Sequence, residues 1–172
     1  MLPYKVQPIP PQCYHVQGLP AGQLAITPHP PGHAALVPWL EMLHAQGTDM
    51  LVSLLEPGEA QALGLEHEEE YCRHLGLKFR SFPITDFGTP ALDGTTLMFM
   101  DELAAHLKNG NTLVIHCRGG IGRSSLVAAA VMIRSGINAE QALRAIGTAR
   151  GVHVPETEAQ RAWLEGFAEL HG

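Results

Sequence analysis

"LVIHCRGGIGRSSLVAAAVMI", residues 113–133, joins a run of strand-forming residues to a run of helix-forming residues through a loop rich in glycine. This order predicts a β-strand, a tight turn and an α-helix. A strand that leads directly into a helix is the repeating unit of α/β folds. Ligands of open α/β folds bind at the carboxyl edge of the sheet, which is where this loop would lie.

The segments around this stretch continue the alternation of strands and helices. Strands are predicted at "GQLAI", "DMLVSLL" and "LKFRSFPI", and helices at "LVPWLEMLHA", residues 57–75, "DGTTLMFMDELAAHLK", "AEQALRAIGTAR" and the C-terminal segment. Thr95 or Thr96 could cap the third of these helices, and Asn138 the fourth. We therefore predict one α/β domain over residues 21–172, with a central, mostly parallel sheet flanked by helices. Residues 1–20 are rich in proline and are expected to form an extended N-terminal arm.

The composition limits the classes of protein to which the chain can belong. Its 172 residues are 45% hydrophobic and 16% charged, as expected of one folded domain with a sizeable core. The net charge of -6 argues against broad nucleic-acid binding or attraction to acidic membranes. No apolar run reaches the roughly 20 residues of a membrane span, and the N-terminus does not resemble a signal peptide. We expect a monomer in the cytoplasm, with neither nucleic acid nor membrane as a partner.

The glycine-rich loop is predicted to bind an anion. Three glycines let the backbone curl so that successive N–H groups point inward, and the following helix adds the positive end of its dipole. A tetrahedral oxyanion such as phosphate fits such a nest of N–H groups. The predicted phosphate-binding residues are Arg118, Gly119, Gly120, Ile121, Gly122 and Arg123.

Cys117 and Arg123 are the candidate reactive groups of this loop. A helix N-terminus and a nearby cation favour the thiolate form of a cysteine, which is its nucleophilic form. The arginine guanidinium can hold two phosphate oxygens at once. The competing interpretation is that Cys117 is a small buried hydrophobic residue, which is the usual role of a cysteine that follows a strand. The residues around Cys117, from His116 to Ser124, favour the catalytic interpretation.

The segment "HCRGGIGRSS" resembles the signature of the cysteine-dependent protein tyrosine phosphatases, in which His-Cys is followed by five residues and then Arg-Ser/Thr. Two glycines before the apolar residue are similar to the dual-specificity group of that superfamily. The likeness extends from about residue 50 to the C-terminus. It implies a phosphatase-like fold and hydrolysis of phosphotyrosine in proteins through a cysteinyl-phosphate, with no metal or cofactor. Whether phosphoserine and phosphothreonine are also substrates stays open.

The resemblance implies that Asp86 is the general acid, because the family carries that residue in a Pro-Ile-x-Asp loop before the cysteine. Here the loop is "PITDFGTPAL", and Asp86 precedes Cys117 by 31 positions. A protonated carboxyl group makes the alkoxide or phenoxide a far better leaving group. Asp86 could instead cap a turn, which is common for aspartate near glycine and proline. Asp93 is the other acid nearby, although "LDGTT" is more typical of a helix start.

Three further residues are assigned supporting roles by the resemblance. Ser124 would donate a hydrogen bond to the Cys117 sulfur, and His116 would order the loop without acting as a base. Gln160 matches the second glutamine of the family segment Gln-Thr-x-x-Gln, which positions the hydrolytic water. Glu156 stands where that segment has its first glutamine. A carboxylate there would repel a phosphate dianion, so we expect Glu156 to face solvent at the start of a helix.

Two alternative functions stay open. Phosphoinositide phosphatases of this superfamily carry lysines inside the loop, whereas this loop has only Arg118, so lipid substrates are the second choice. A pseudophosphatase that binds phosphoproteins without hydrolysing them would explain the nest. The presence of a cysteine, an arginine and an upstream acid together weighs against it.

The other cysteines and the histidines support no strong functional prediction. Three widely spaced cysteines do not form a disulfide framework. Cys72 could form a reversible disulfide with Cys117 or simply pack in the core. His29 and His33 are four residues apart, but two prolines between them prevent the helix that would align them, and no metal site is predicted.

Overall fold

The computed structural model describes residues 7–172, which form one central sheet and the helices that cover it. The strands are β1 Tyr14–Val16, β2 Gln23–Thr27, β3 Met50–Ser53, β4 Lys78–Ser81 and β5 Thr112–His116. The helices are α1 Leu36–Ala45, α2 Pro57–Ala62, α3 Glu68–Leu75, α4 Gly94–Lys108, α5 Gly122–Arg134, α6 Ala139–Arg150 and α7 Glu158–His171, and a 3-10 turn at His33–Ala35 precedes α1.

The sheet has the strand order β1-β2-β5-β3-β4, which places β5 at the centre. Strands β2, β5, β3 and β4 are parallel, and only the edge strand β1 runs antiparallel to its neighbour. The predicted α/β fold with a mostly parallel sheet is therefore confirmed. Because β5 lies between two parallel neighbours, the loop that follows it emerges in the middle of the carboxyl edge.

Helices cover both faces of the sheet, and each face has its own apolar core. Leu113 and Ile115 of β5 point into the core formed with α4, α5, α6 and α7, whereas Val114 points into the core formed with α1 and α3. Helix α5 is buried from Gly122 to Ile133 and packs against three other helices. Its small alanines permit that close packing. Within residues 7–172, no helix combines the length and the apolar composition that crossing a bilayer requires.

The N-terminal arm predicted over residues 1–20 is not wholly outside the sheet. Residues 14–16 form β1 and pair with β2, and the Val16 side chain is buried in the larger core. Without β1, the outer edge of β2 would leave its backbone hydrogen-bonding groups unpaired. The prediction missed this strand because it is only three residues long. The part of the predicted arm before residue 7 lies outside the described residues.

The helix starts show which capping predictions were correct. Helix α4 is capped by Asp93, whose Oδ1 accepts a hydrogen bond from Thr96 N at 2.9 Å, so the prediction of a Thr95 or Thr96 cap was wrong. Asn138 caps α6 as predicted, and Thr157 caps α7. The helix begins at Gly94, so Thr95 and Thr96 already lie in its first turn. The N–H of Thr96 is one of the groups that need an acceptor, and Asp93 supplies that acceptor.

Candidate active site

The loop between β5 and α5 has a backbone path that requires glycine. Gly120 has a φ of +69°, and a Cβ atom at this position would lie 2.8 Å from the Thr27 carbonyl oxygen. A Cβ atom on Gly122 would collide with the Glu156 carboxylate. A side chain at position 120 would therefore push the loop away from β2, whereas one at position 122 would require the Glu156 carboxylate to move aside.

The carbonyl groups of this loop are bonded to partners outside it. Cys117 O lies 3.1 Å from His116 Nδ1, Arg118 O accepts from His29 N at 3.0 Å, and Gly120 O accepts from Arg150 Nε at 2.7 Å. In a trans peptide the next N–H points opposite to the carbonyl, so outward carbonyls leave these N–H groups facing inward. Within residues 7–172, the N–H groups of residues 118–123 have no acceptor. The loop thus has the conformation of an anion-binding nest.

Cys117 and Arg123 lie side by side with this nest and are almost fully buried, with 3% and 1% of their surfaces exposed. Arg123 donates from Nη1 and Nη2 to the two carboxylate oxygens of Glu59 at 2.8 and 2.9 Å, and from Nη1 to Ile84 O at 2.9 Å. Its Nε is buried without a partner within the described residues. These bonds fix the guanidinium plane and leave Nε as a donor for a bound oxyanion.

The ion pair of Arg123 and Glu59 shifts the pKa values of both groups. Burial alone would lower the pKa of Arg123, but its hydrogen bonds to Glu59 and the nearby negative charges raise it. The same hydrogen bonds lower the pKa of Glu59, against the opposing effect of burial. Both groups are therefore charged at neutral pH, and the arginine keeps its full positive charge for an anionic ligand.

Asp86 is brought to this cluster by the loop after β4. Its Oδ1 lies 3.1 Å from Arg123 Nη2 and accepts a hydrogen bond from Phe87 N at 3.1 Å, and 43% of its side chain stays exposed. Phe87 has a φ of +60°, which is uncommon for a residue other than glycine and marks a sharp turn. Asp86 therefore both caps a turn and faces the candidate site. The alternative acid, Asp93, is committed to capping α4.

His116 is held between the loop and a buried glutamate. Its Nε2 lies 2.7 Å from Glu68 Oε1, and both side chains are almost completely buried. Burial alone would lower the pKa of His116, but the charge of Glu68 and its hydrogen bond raise it above the ordinary value. A protonated imidazole donates from both nitrogens, to Glu68 and to the Cys117 carbonyl. These contacts place His116 between Glu68 and the loop backbone, and its supporting role stays a prediction.

We expect Glu68→Gln to destabilise the fold mainly at low pH. A raised pKa of His116 means that the pair stabilises the folded state fully below the ordinary histidine value of 6.5, and that this contribution is lost as the pH rises through the folded value. Glutamine keeps an oxygen that can accept from His116 Nε2, but it removes the negative charge, so the buried imidazolium loses its counter-ion, which costs up to about 3–5 kcal/mol at pH 6. At pH values above the folded pKa of His116 the loss should approach that of one neutral hydrogen bond, about 1 kcal/mol.

Urea unfolding of Glu68→Gln and of the wild type at pH 6 and pH 9 measures this difference. Glu69→Gln is the matched control, because its side chain is exposed one position along the same helix, and its effect should be small at both pH values. A destabilisation by Glu68→Gln that does not change between pH 6 and pH 9 would show that His116 is uncharged in the folded protein.

Ser124 lacks the contact predicted for it, Gln160 makes contacts other than those predicted, and Glu156 is exposed as predicted. Ser124 Oγ is buried and has no hydrogen-bond partner among residues 7–172, so the expected bond to the Cys117 sulfur is not made here. The Gln160 side chain makes three hydrogen bonds: Oε1 accepts from Glu156 N and Thr157 N, and one of the two Nε2–H groups donates to Gly88 O at 3.3 Å. Gln160 thus ties α7 to the loop that carries Asp86. Glu156 is exposed as expected, but its carboxylate lies against the glycine loop.

Cys72 is buried in the core on the α1 and α3 side of the sheet, whereas Cys117 belongs to the core on the other side. All three cysteines have free thiols. Burial, together with the charges of Glu68 and Glu69, raises the pKa of Cys72. A buried, protonated thiol on the opposite side of the sheet favours the core-packing interpretation of Cys72.

Three residues of the site were missed by the sequence analysis: Glu59, Glu68 and Arg150. Glu59 lies three positions after Glu56 at the start of α2, where a glutamate is typical of a capping box, and its Oε2 indeed accepts from Glu56 N at 2.9 Å. That pattern gave a signal for the helix start but none for the contact with Arg123. Glu68 is one of three consecutive glutamates, and only the fold shows which of them is buried.

The fold and the site together define the class of protein. The family described as "Polymorphic toxin system, DSP-PTPase phosphatase" matches residues 27–137, which is more than half of the chain and includes both Asp86 and the whole glycine loop. The chain belongs to this family of dual-specificity-type protein tyrosine phosphatases.

Within that class, the chain is similar to cyclin-dependent kinase inhibitor 3 and to kinase-associated phosphatase. Cyclin-dependent kinase inhibitor 3 of Rattus norvegicus is 31% identical over 131 residues, and that of Homo sapiens is 30% identical over 131 residues. Each alignment covers 75% of this chain, and the chain spans about 61% of the length of these relatives.

Solved structures show the same fold. A kinase-associated phosphatase whose catalytic-site cysteine is replaced by serine superposes with a TM-score of 0.83 at 24% identity, covering 94% of this chain and 96% of the other. The active form of Tk-PTP superposes with a TM-score of 0.73 at 25% identity, covering 91% and 96%. The predicted phosphatase-like fold is therefore confirmed.

Proposed function

We propose that this protein hydrolyses phosphotyrosine in proteins through a cysteinyl-phosphate on Cys117. The observation that carries the proposal is that a buried cysteine, the inward N–H groups and Arg123 Nε, which has no partner within residues 7–172, lie together at one glycine loop. Asp86 lies 3.1 Å from the same guanidinium group. The formation and the hydrolysis of the cysteinyl-phosphate, described below, need neither a metal nor a cofactor.

In the first step, the Cys117 thiolate attacks phosphorus opposite the ester oxygen. The new S–P bond forms as the P–O bond to the leaving group breaks, and Asp86 donates its proton to the departing oxygen. The N–H groups of residues 118–123 and Arg123 Nε hold the three equatorial oxygens, whose charge is greatest in the transition state. A bound phosphate takes the place beside Arg123 that Asp86 partly fills here, and this frees the carboxyl group for the leaving oxygen.

In the second step, water attacks the phosphorus of the cysteinyl-phosphate. Asp86, now a carboxylate, accepts a proton from that water, the S–P bond breaks, and the Cys117 thiolate and inorganic phosphate are released. The hydroxyl of Ser124, which has no partner here, could donate to the departing sulfur, as the family resemblance implies. One Nε2–H of Gln160 has no acceptor within residues 7–172, and it could hold the hydrolytic water without breaking the bonds to Gly88 O and to the start of α7.

The proposed substrates are phosphorylated proteins or peptides in the cytoplasm. Support comes from the relatives, one of which is called a kinase-associated phosphatase, and from the three free thiols, which fit a reducing compartment. The loop carries one cationic side chain besides Arg123, the exposed Arg118. An inositol phosphate headgroup with several phosphates would need more positive charge, which favours protein substrates over lipids.

Phosphate release from three substrates, measured side by side, tests this proposal. We expect hydrolysis of a phosphotyrosine peptide, with slower hydrolysis of the matched phosphothreonine peptide and of a short-chain phosphoinositide. The side chain that carries the phosphate is longer in phosphotyrosine than in phosphothreonine. Its phenol is also a better leaving group than the threonine alcohol. Faster release from the phosphoinositide would assign the protein to the lipid alternative. Binding of the phosphopeptides without any release would identify a pseudophosphatase.

A further inference from the structure

The two consecutive glycines of the anion-binding loop are held by a side chain that the mechanism above does not use. Arg150, the last residue of α6, donates from Nε to Gly120 O at 2.7 Å and from Nη2 to Gly119 O at 3.4 Å. Glycine peptides reorient at low cost because both signs of φ are open to them. A donor that holds both carbonyls outward therefore keeps the N–H groups of Gly120 and Ile121 turned inward, where an anion would bind.

Arg150 is itself held by the N-terminal strand. Its guanidinium carbon lies 3.8 Å from the centre of the Tyr14 ring in β1, a close cation–π contact. Both side chains are partly buried, and α6 ends immediately afterwards at Gly151, whose φ is +69°. The ring, the helix end and the two carbonyl groups together fix the plane of the guanidinium group.

The charge of Arg150 is not neutralised by a neighbouring acid. None of the ion pairs formed within residues 7–172 includes Arg150, whereas the guanidinium group of Arg123 is shared between Glu59 and Asp86. The positive charge of Arg150 therefore acts on the loop directly. It polarises the two carbonyl groups, and this strengthens the adjoining N–H groups as donors toward an anion.

We propose that Arg150, held in place by Tyr14, is a positioning residue that keeps the glycine loop in its anion-binding conformation. The proposal rests on the proposed function and extends it, because it makes the N-terminal strand part of the phosphate site. It places no group on the substrate: Arg150 acts only through the backbone of Gly119 and Gly120. Loss of Arg150 should therefore weaken the binding of any oxyanion, whatever its leaving group.

Protection of Cys117 from iodoacetate by inorganic phosphate, followed by mass spectrometry, tests this proposal without any turnover. We expect Arg150→Met to need about tenfold more phosphate for half protection, since two hydrogen bonds and a charge are lost. Arg150→Lys keeps the positive charge but not the two hydrogen bonds of the guanidinium group, and its phosphate requirement should rise by a smaller factor. Tyr14→Leu should need roughly threefold more phosphate for half protection. Tyr14→Phe keeps the ring and should need the same concentration as the wild type.

Arg144→Met is the matched control. It removes the same charge from an exposed position of the same helix, and the phosphate concentration for half protection should change less than about twofold. Thermal unfolding of each variant shows whether the protein is folded at the temperature of the assay. A purely structural role would lower the unfolding temperature and leave the phosphate requirement unchanged.

Three outcomes would overturn the proposal. The first is wild-type protection in folded Arg150→Met. The second, which decides the matter if Arg150→Met does not fold, is unchanged protection in both Arg150→Lys and Tyr14→Leu. The third is an equal loss in Arg144→Met, which would mean that only distant charge matters. If phosphate did not protect the wild type at all, the phosphate site itself would be wrong, so failure of the proposed function is recognised separately.

Discussion

Cys117→Ser is expected to abolish phosphate release from a phosphotyrosine peptide. A serine hydroxyl is far less ionised than a thiol at neutral pH, so it cannot supply the nucleophile that the first step needs. The Cys117 side chain is buried, with 3% of its surface exposed. Steady-state phosphate release, followed until the background of the assay is reached, measures the loss.

The same variant should keep its fold and its affinity for phosphate, because the nest is made of backbone groups and Arg123 is unchanged. Calorimetric titration with phosphate checks this second half of the prediction. Cys13→Ser is the matched control, since it removes a thiol that is only partly buried and lies far along the chain from the loop, and it should keep full activity. If Cys117→Ser retained more than a few per cent of the wild-type rate, Cys117 could not be the nucleophile.

Asp86→Asn is expected to slow the hydrolysis of phenyl phosphate by about 10²–10⁴-fold, the range found when a general acid is removed. An amide keeps the shape of the side chain and its contact with Phe87 N, but it cannot give up a proton to the leaving oxygen. The loss in the first step should shrink for aryl phosphates whose phenols are acidic enough to leave unprotonated. Initial rates of phenol release across a series of such phenols measure this dependence.

Asp93→Asn is the matched control for this series. Asp93 caps α4 through Thr96 N, and asparagine is an equally good cap, so neither stability nor leaving-group dependence should change appreciably. If the rate of phenol release by Asp86→Asn fell by the same factor for every phenol, Asp86 could not be the general acid. Asp86 would then have only a structural role, in which it accepts the hydrogen bond from Phe87 N and caps the turn there.

Local patterns predicted the centre of the fold correctly. The order of strand, glycine loop and helix around Cys117 can be predicted from neighbouring residues alone, because the strand formers, the glycines and the helix formers each act within a few positions. The same holds for the Asn138 cap. The edge strand β1 could not be predicted in this way, because three residues carry too little pattern and the strand is stabilised by pairing with β2.

The carboxylates and the cation that support the loop depend on contacts that are distant in sequence. Arg123 and Glu59 are 64 positions apart, His116 and Glu68 are 48 apart, and Arg150 lies 30 positions from Gly120. No periodicity links such pairs, since the topology alone brings α2, α3 and α6 to the same edge of the sheet. A glutamate on a predicted helix is usually solvated, and only the structure distinguishes Glu59 and Glu68 from their exposed neighbours.

The central claim, a cysteinyl-phosphate on Cys117, is tested most directly by trapping that intermediate. Asp86→Asn with an aryl phosphate of an acidic phenol suits the experiment, because the first step needs no acid there while the second step has lost its base. The reaction is quenched with acid at short times, digested, and examined by mass spectrometry. We predict that the peptide containing Cys117 gains the mass of one phosphoryl group, and that phenol release shows a burst equal to the enzyme present. Continued turnover with no phosphoryl group on Cys117 in the quenched samples, or with the group on another residue, would contradict the mechanism.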